Sequence, residues 1–146
     1  MEQTILLPEN IAINLATTSK EAAIIAAGNM LVDRGYVRKS YIQGMLERET
    51  VCNTYIGNGV AIPHGTHGAK QEILRSGIVV LQYKEGIDYN GDKAYLVIGI
   101  AGAGDDHLAI LSRIALTIQD MATVNRLVQT EQAAEIYETL LKLNEV

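Results

Sequence analysis

The chain has no tryptophan and no phenylalanine, a single cysteine, two prolines and no excess of positive charge. Each shortage excludes something. Cys52 has no partner for an internal disulfide and no second thiolate with which to share a zinc ion. With 12 Lys and Arg against 17 Asp and Glu the net charge is −5, and no stretch gathers basic residues, which argues against nucleic acid as a partner. No run approaches the roughly 18 unbroken apolar residues of a membrane span. The opening Met1-Glu2-Gln3-Thr4-Ile5-Leu6-Leu7-Pro8 has no basic segment leading into a long apolar one. A cytoplasmic protein with no direct membrane insertion is expected. Linkers, low-complexity tracts and internal repeats are also missing, so one domain, residues 1–146, is the expected organisation.

What is present is apolar bulk, spread evenly. Hydrophobic residues make up 48% of the 146, and at this length folding removes roughly 68–70% of the unfolded chain's surface from water without help from disulfides or a structural metal. Thr18-Ser19-Lys20-Glu21 predicts a helix start in which the Thr18 hydroxyl and the Glu21 carboxylate cap each other's backbone donors. Ile24, Ala27, Gly28 and Leu31 then share a face, and Gly35 ends the helix. A shorter helix begins at Ser40, carries Tyr41, Ile42, Met45 and Leu46, and exits through Glu47-Arg48-Glu49. After that the period changes. Gly59-Val60-Ala61-Ile62 is a short extended segment ended by Pro63, and Gly77 to Tyr83 and Ala94 to Ala101 are β-branched runs suited to central strands covered on both faces. Between these two runs, Glu85 to Asp92 has Asn-Gly turn chemistry.

The last third is helical again. Asp105 or Asp106 caps a helix through about Gln119, with Leu108, Leu111, Ala115 and Ile118 on one stripe; Ile110 and Ile114 lie off it, which predicts a largely buried helix. Thr130 caps a final helix with Ala133, Ile136, Tyr137, Leu140 and Leu141 on one face. The expected fold class is α/β, a mixed sheet of about four or five strands flanked by helices on both faces.

Three histidines remain to be explained. His64 stands between Pro63 and Gly65 in Gly57-Asn58-Gly59-Val60-Ala61-Ile62-Pro63-His64-Gly65-Thr66. Proline biases Ile62 toward an extended shape and glycine permits positive φ, which places His64 at a strand end. There Gly65 lets a backbone or a phosphate come close, and backbone N–H groups with the Thr66 hydroxyl can donate to an anion. The plainer reading is a loop histidine at a tight turn, and the residues alone leave both open. His107 follows Ile100-Ala101-Gly102-Ala103-Gly104-Asp105-Asp106, a strand that runs through small residues into a helix whose first turn sets a side chain beside its anion-attracting N-terminus. Two aspartates oppose an anion there, and a solvent-facing histidine on a strand-to-helix connection is the plainer alternative. Gly102-Ala103-Gly104 has neither the Gly-Lys-Ser/Thr ending of a P-loop nor the glycine spacing of a dinucleotide fingerprint. A zinc site could be drawn from His64 and His67 with Cys52 or Asp106, but that His-x-x-His pair is not on a helix, where the spacing would converge. A serine hydrolase lacks its Gly-x-Ser-x-Gly elbow.

The segment Gly59-Val60-Ala61-Ile62-Pro63-His64-Gly65-Thr66, followed after two apolar strands by a strand-turn-helix bearing His107, resembles the enzyme IIA domain of the mannitol/fructose class of the bacterial phosphoenolpyruvate-dependent sugar phosphotransferase system. The likeness covers nearly the whole chain. It takes in Ile11-Ala12-Ile13-Asn14-Leu15, Ser19-Lys20-Glu21-Ala22 and Gly35-Tyr36-Val37, and the stretch from Tyr41 to Glu49 is similar to the mannitol branch. His67 lies outside the family pattern, and Gly102-Ala103-Gly104-Asp105-Asp106 differs from the more polar loop of the mannitol enzymes.

The resemblance implies a phosphotransferase component. His64 accepts a phosphoryl group from the phosphocarrier protein HPr as a tele-phosphohistidine and passes it to a cysteine on the IIB domain of a mannitol-type IIB/IIC sugar permease. It implies further that His107 donates a hydrogen bond to the phosphoryl group, that Arg48 stabilises the phosphate, and that no cofactor or metal is needed. Cys52 is not the phosphorylated cysteine, which belongs to IIB. The chemistry suits these residue types. Phosphoryl transfer spreads charge over three equatorial oxygens and asks for an in-line nucleophile and positioned donors. An imidazole with pKa about 6.5 is largely neutral near pH 7, and a guanidinium offers a planar donor fork. On its own, Arg48 is a solvated helix-end charge between Glu47 and Glu49. Docking of partners asks for an exposed apolar rim, for which Ile56, Val60, Ile62 and parts of the second helix are the candidates. A free-standing component is expected from the short stretch after the last helix. The alternatives are a regulator of the nitrogen-related IIA kind and, from a different class, a small zinc hydrolase using His64, His67 and Asp106.

Overall fold

Strand period sets the centre of the molecule. Along residues 77–101, Ile78, Val80, Leu96, Ile98 and Ile100 pack into one apolar layer, while the intervening Val79, Leu81, Val97 and Ala101 pack into a second on the opposite face. The computed structural model describes residues 4–145. In chain order its strands and α-helices are β1 (Ile11–Ala12), α1 (Lys20–Asp33), α2 (Tyr41–Val51), β2 (Tyr55–Gly57), β3 (Val60–Ala61), β4 (Gly77–Tyr89), β5 (Asp92–Ala101), α3 (Asp106–Ile118), α4 (Met121–Gln129) and α5 (Ala133–Leu140). The strands form one sheet in the order β1-β4-β5-β3-β2. The β1/β4 and β3/β5 pairs are parallel, and the β4/β5 and β2/β3 pairs are antiparallel. Helices α1 and α2 cover one face; α3, α4 and α5 cover the other. The expected mixed α/β sheet with helices on both sides is what the chain builds. Among the described residues no helix is long and apolar enough to cross a membrane. Met1, Glu2, Gln3 and Val146, which bear on the expectations about the two ends of the chain, lie outside the described residues.

Several local expectations need correction. The cap of α1 is Ser19, not Thr18: its Oγ accepts the Ala22 N–H at 3.1 Å. That start puts Glu21 one residue too early to answer the cap. Helix α2 runs on to Val51, so Arg48 sits inside its last turn rather than in an exit segment. The turn between β4 and β5 is only Asn90-Gly91, with φ of 57° and 96°, a two-residue hairpin turn matched to sheet twist. The residues before it are strand because Ile87 and Tyr89 point into the core, 1% and 0% exposed, after a register shift between Gln82 and Ile87.

Helix α3 is not largely buried. It turns Ile110, Ile114 and Ile118 inward and leaves Leu108 70% exposed. Its first turn is fastened to the sheet by Ser76, the residue before β4, which donates to Asp106 Oδ2 at 2.6 Å. Steps of four from Asp106 give 110, 114 and 118, and burying each isoleucine contributes about 2 kcal/mol. Helix α4, not anticipated, is capped by Asp120, whose Oδ1 accepts the Ala122 N–H, and buries Val124, Leu127 and Val128. Thr130 ends α4 instead of capping α5; its Oγ1 accepts the N–H of Gln132, which is the N-cap residue of α5. On α5, Ile136 and Leu140 are buried while Leu141, just past its end, is 43% exposed.

Candidate functional site

Parallel pairing of β3 with β5 brings two chain exits together. The strands run side by side, so their C-terminal ends open on the same edge of the sheet, where open α/β sheets place ligands. The pairing resumes three residues past β3, as the Ile100 N–H donates to Pro63 O at 3.0 Å and His64 lies opposite Ile100. His107 arrives from the other exit in the first turn of α3. A Cβ added to Gly102 would lie 2.5 Å from His107 Cα, so only glycine lets this loop fold so closely under the histidine. The two imidazole centroids are 5.0 Å apart at 60°.

One hydroxyl fastens both exits. Tyr41 Oη donates to Ile100 O at 2.9 Å and accepts the Gly65 N–H at 2.8 Å. Burial, opposed by the bond from Gly65, pushes its pKa up to about 12, so it remains a neutral donor. The helix-face pattern identifies Tyr41 as apolar core and hides this role.

His64 is 8% exposed. Its Nδ1 lies 2.7 Å from Ile62 O. A carbonyl can only accept, so Nδ1 carries the proton of the neutral ring and Nε2 holds the free electron pair. Burial lowers the His64 pKa; the Ile62 carbonyl opposes this, Arg48 adds to it and Glu49 opposes it. The His107 pKa is lowered as well, first by burial and then by the charges of His64, Lys70 and Arg48. Two neutral imidazoles therefore meet beside two fixed cations.

These groups line a cleft of about 410 Å³ that includes Arg48, Thr54, Ile56, His64, Thr66, Lys70 and His107. Arg48 Nη1 also donates to Cys52 O at 2.6 Å. All three site residues named from the sequence thus meet at one cleft. The sequence does not mark Lys70 or Thr54: the first lies in a short 3-10 turn, His67–Glu72, and the second in a connection between elements, and neither sits in a pattern. His67 is exposed on the rim. Of the rim candidates named by residue, Ile56 is 37% exposed, whereas Val60 and Ile62 are buried at 0% and 7% because they face the core beneath α3. Asp106 is turned to Ser76, and among the described residues no group of three His, Cys, Asp or Glu side chains is gathered to hold a metal ion. The zinc hydrolase reading loses its ligand set.

Residues 4–143 match the family described as "Phosphoenolpyruvate-dependent sugar phosphotransferase system, EIIA 2". A mannitol-specific phosphotransferase enzyme IIA component from Halalkalibacterium halodurans is 48% identical over 145 residues, covering 99% of this chain and 100% of that one. The crystal structure of IIA mannitol from Escherichia coli aligns with a TM-score of 0.87 at 39% identity, covering 92% of this chain and 98% of that one. An NMR structure of a complex between Escherichia coli enzyme IIA mannitol and phosphorylated enzyme IIB mannitol aligns with a TM-score of 0.88 at 37% identity, covering 93% and 96%.

Proposed function

Because the chain belongs to the EIIA 2 family of the phosphoenolpyruvate-dependent sugar phosphotransferase system, we propose that it is a cytoplasmic phosphoryl carrier of a mannitol-type system, with His64 as acceptor. The observation that carries this reading is the bond from His64 Nδ1 to Ile62 O at 2.7 Å, which leaves Nε2 as the nucleophile. The donor is phospho-HPr. The Nε2 electron pair forms the new bond to phosphorus as the bond to the donor's nitrogen breaks, and the bonding pair leaves with that nitrogen. The ring becomes positively charged, and the retained Nδ1–H donates more strongly to Ile62 O. No proton has to move.

The lowered pKa of His64 keeps the attacking ring neutral at physiological pH. Arg48 and Lys70 set positive charge at the cleft for the equatorial oxygens, and His107 donates to the transferred group. The second step reverses the first, with a cysteine thiolate of a mannitol-type IIB domain attacking phosphorus and His64 leaving as a neutral ring. The names of the relatives support mannitol as the sugar, and the solved complex with phosphorylated IIB supports IIB as the acceptor. Incubation with phosphoenolpyruvate, enzyme I and HPr is expected to add the mass of one acid-labile phosphoryl group, and His64→Ala is expected to abolish it. Undiminished uptake in that variant would remove His64 as acceptor.

A further inference from the structure

Glu49 takes no part in the chemistry above, yet its side chain is only 7% exposed and both its oxygens are occupied. Oε1 accepts the Thr54 N–H at 3.1 Å and pairs with Lys20 Nζ at 3.0 Å. Oε2 accepts the Thr54 hydroxyl at 2.5 Å and the Tyr89 hydroxyl at 3.2 Å. Helix α1, strand β4 and the connection from α2 to β2 all meet on this carboxylate. Its importance lies in where Thr54 leads. Thr54 O accepts the Ile62 N–H at 2.9 Å, and Ile62 O accepts from His64 Nδ1. One chain of contacts therefore runs from the carboxylate through Thr54 and the Ile62 residue to the reactive ring. Arg48, next to Glu49, holds Cys52 O, so the connection lining the cleft is gripped twice from the last turn of α2.

Resting on the reading of His64 as phosphoryl acceptor, we infer that Glu49 is a positioning residue: by holding Thr54 it fixes the Ile62 carbonyl, and with it the tautomer and orientation in which His64 offers Nε2 to phosphorus. Partners that orient a reactive imidazole through its other nitrogen govern rate because small errors in attack geometry are costly. The Glu49 charge also raises the pKa of His64, against the larger lowering by burial.

The test is single-turnover phosphoryl uptake from phospho-HPr, with donor concentration varied, alongside nitrogen-15 NMR of the His64 tautomer, on the full chain and on E49A, E49Q and T54V. E49A is expected to lose about 10-fold or more in maximal rate, with half-saturating donor within about 2-fold, and to show His64 as a mixture of tautomers. E49Q is expected to recover to within about 3-fold of wild type, since its amide can still accept the Thr54 N–H and donate to the Thr54 hydroxyl. T54V removes only the hydroxyl and serves should E49A fail to fold; a loss of about 3-fold is expected. A wild-type rate, or a wild-type Nδ1–H tautomer, in folded E49A or T54V would overturn the inference, whatever happens to melting temperature. Were the wild-type chain to take up no phosphoryl group, the acceptor reading would fail instead, and the tautomer in E49A would still decide the role of Glu49.

Discussion

The exits of β3 and β5 stand side by side and each delivers a histidine, but they hold it by different means. At the β3 exit the ring itself is held: His64 is 8% exposed and Nδ1 is bonded to Ile62 O. At the β5 exit the backbone is held instead. Gly102 folds under His107, Ser76 fastens Ala103 N–H and Asp106, and among the described residues the imidazole of His107 makes no hydrogen bond. A nucleophile needs one tautomer and one direction of attack. A donor to the transferred group needs a fixed base and a free ring, because its acceptor oxygen is present only when the phosphoryl group is.

Removing the free ring should therefore harm transfer without disturbing the held one. His107→Ala is expected to slow uptake from HPr and onward transfer to IIB alike by about 100-fold, the low end of losing one donor to a charged transition state, while His64 keeps its Nδ1–H tautomer. Rapid-quench measurement of both half-reactions, with nitrogen-15 NMR of His64, checks this, and a mixed His64 tautomer in that variant would erase the distinction. Tyr41→Phe tests the clamp shared by the exits. Leaving the Gly65 N–H without its partner is expected to cost about 1–3 kcal/mol in urea unfolding and to slow both half-reactions together.

The smallest effect concerns pH. Burial lowers the pKa of both rings below 6.5, so the neutral acceptor persists as pH falls through 6.5 and uptake should decline only below that value. In the same window the unfolded chain binds protons that the folded chain refuses. Stability should therefore be greatest above 6.5 and fall as pH drops toward the lowered values. Uptake rates and urea midpoints on one pH series measure both; an acid limb centred above 6.5 would mean that burial does not control His64.

The histidine exits were legible in the sequence because their signals are local. Pro63 restricts the backbone leading into His64, and Gly102-Ala103-Gly104 before Asp105 announces a tight strand-to-helix turn; Gly65 does not take up a positive φ, and a Cβ there would lie 2.6 Å from the Tyr41 ring. What holds the exits was not legible. Tyr41 reaches Ile100 and Glu49 reaches Tyr89, partners that only the folded sheet brings within range. On α3 two apolar stripes compete, and burial of Ile110, Ile114 and Ile118 is decided by packing against the sheet, with Ser76, thirty residues away in sequence, fastening the first turn. Strands β1 and β2, of two and three residues, are too short for alternation to declare them, whereas β3 is marked by the Pro63 that follows its extended segment. Helix α4 follows α3 with no glycine or proline between, so only the Asp120 cap marks the break. At Thr18-Ser19 adjacent hydroxyls offer the same cap chemistry, and the local pattern does not choose between them.

The central claim is that His64 attacks through Nε2 while Nδ1–H stays bonded to Ile62 O. Nitrogen-15 and phosphorus-31 NMR of the chain phosphorylated by phospho-HPr tests it directly. The expected result is one phosphoryl group coupled to Nε2 of His64, with Nδ1 still protonated. Coupling to Nδ1, or a phosphoryl group on His107 or His67, would contradict it.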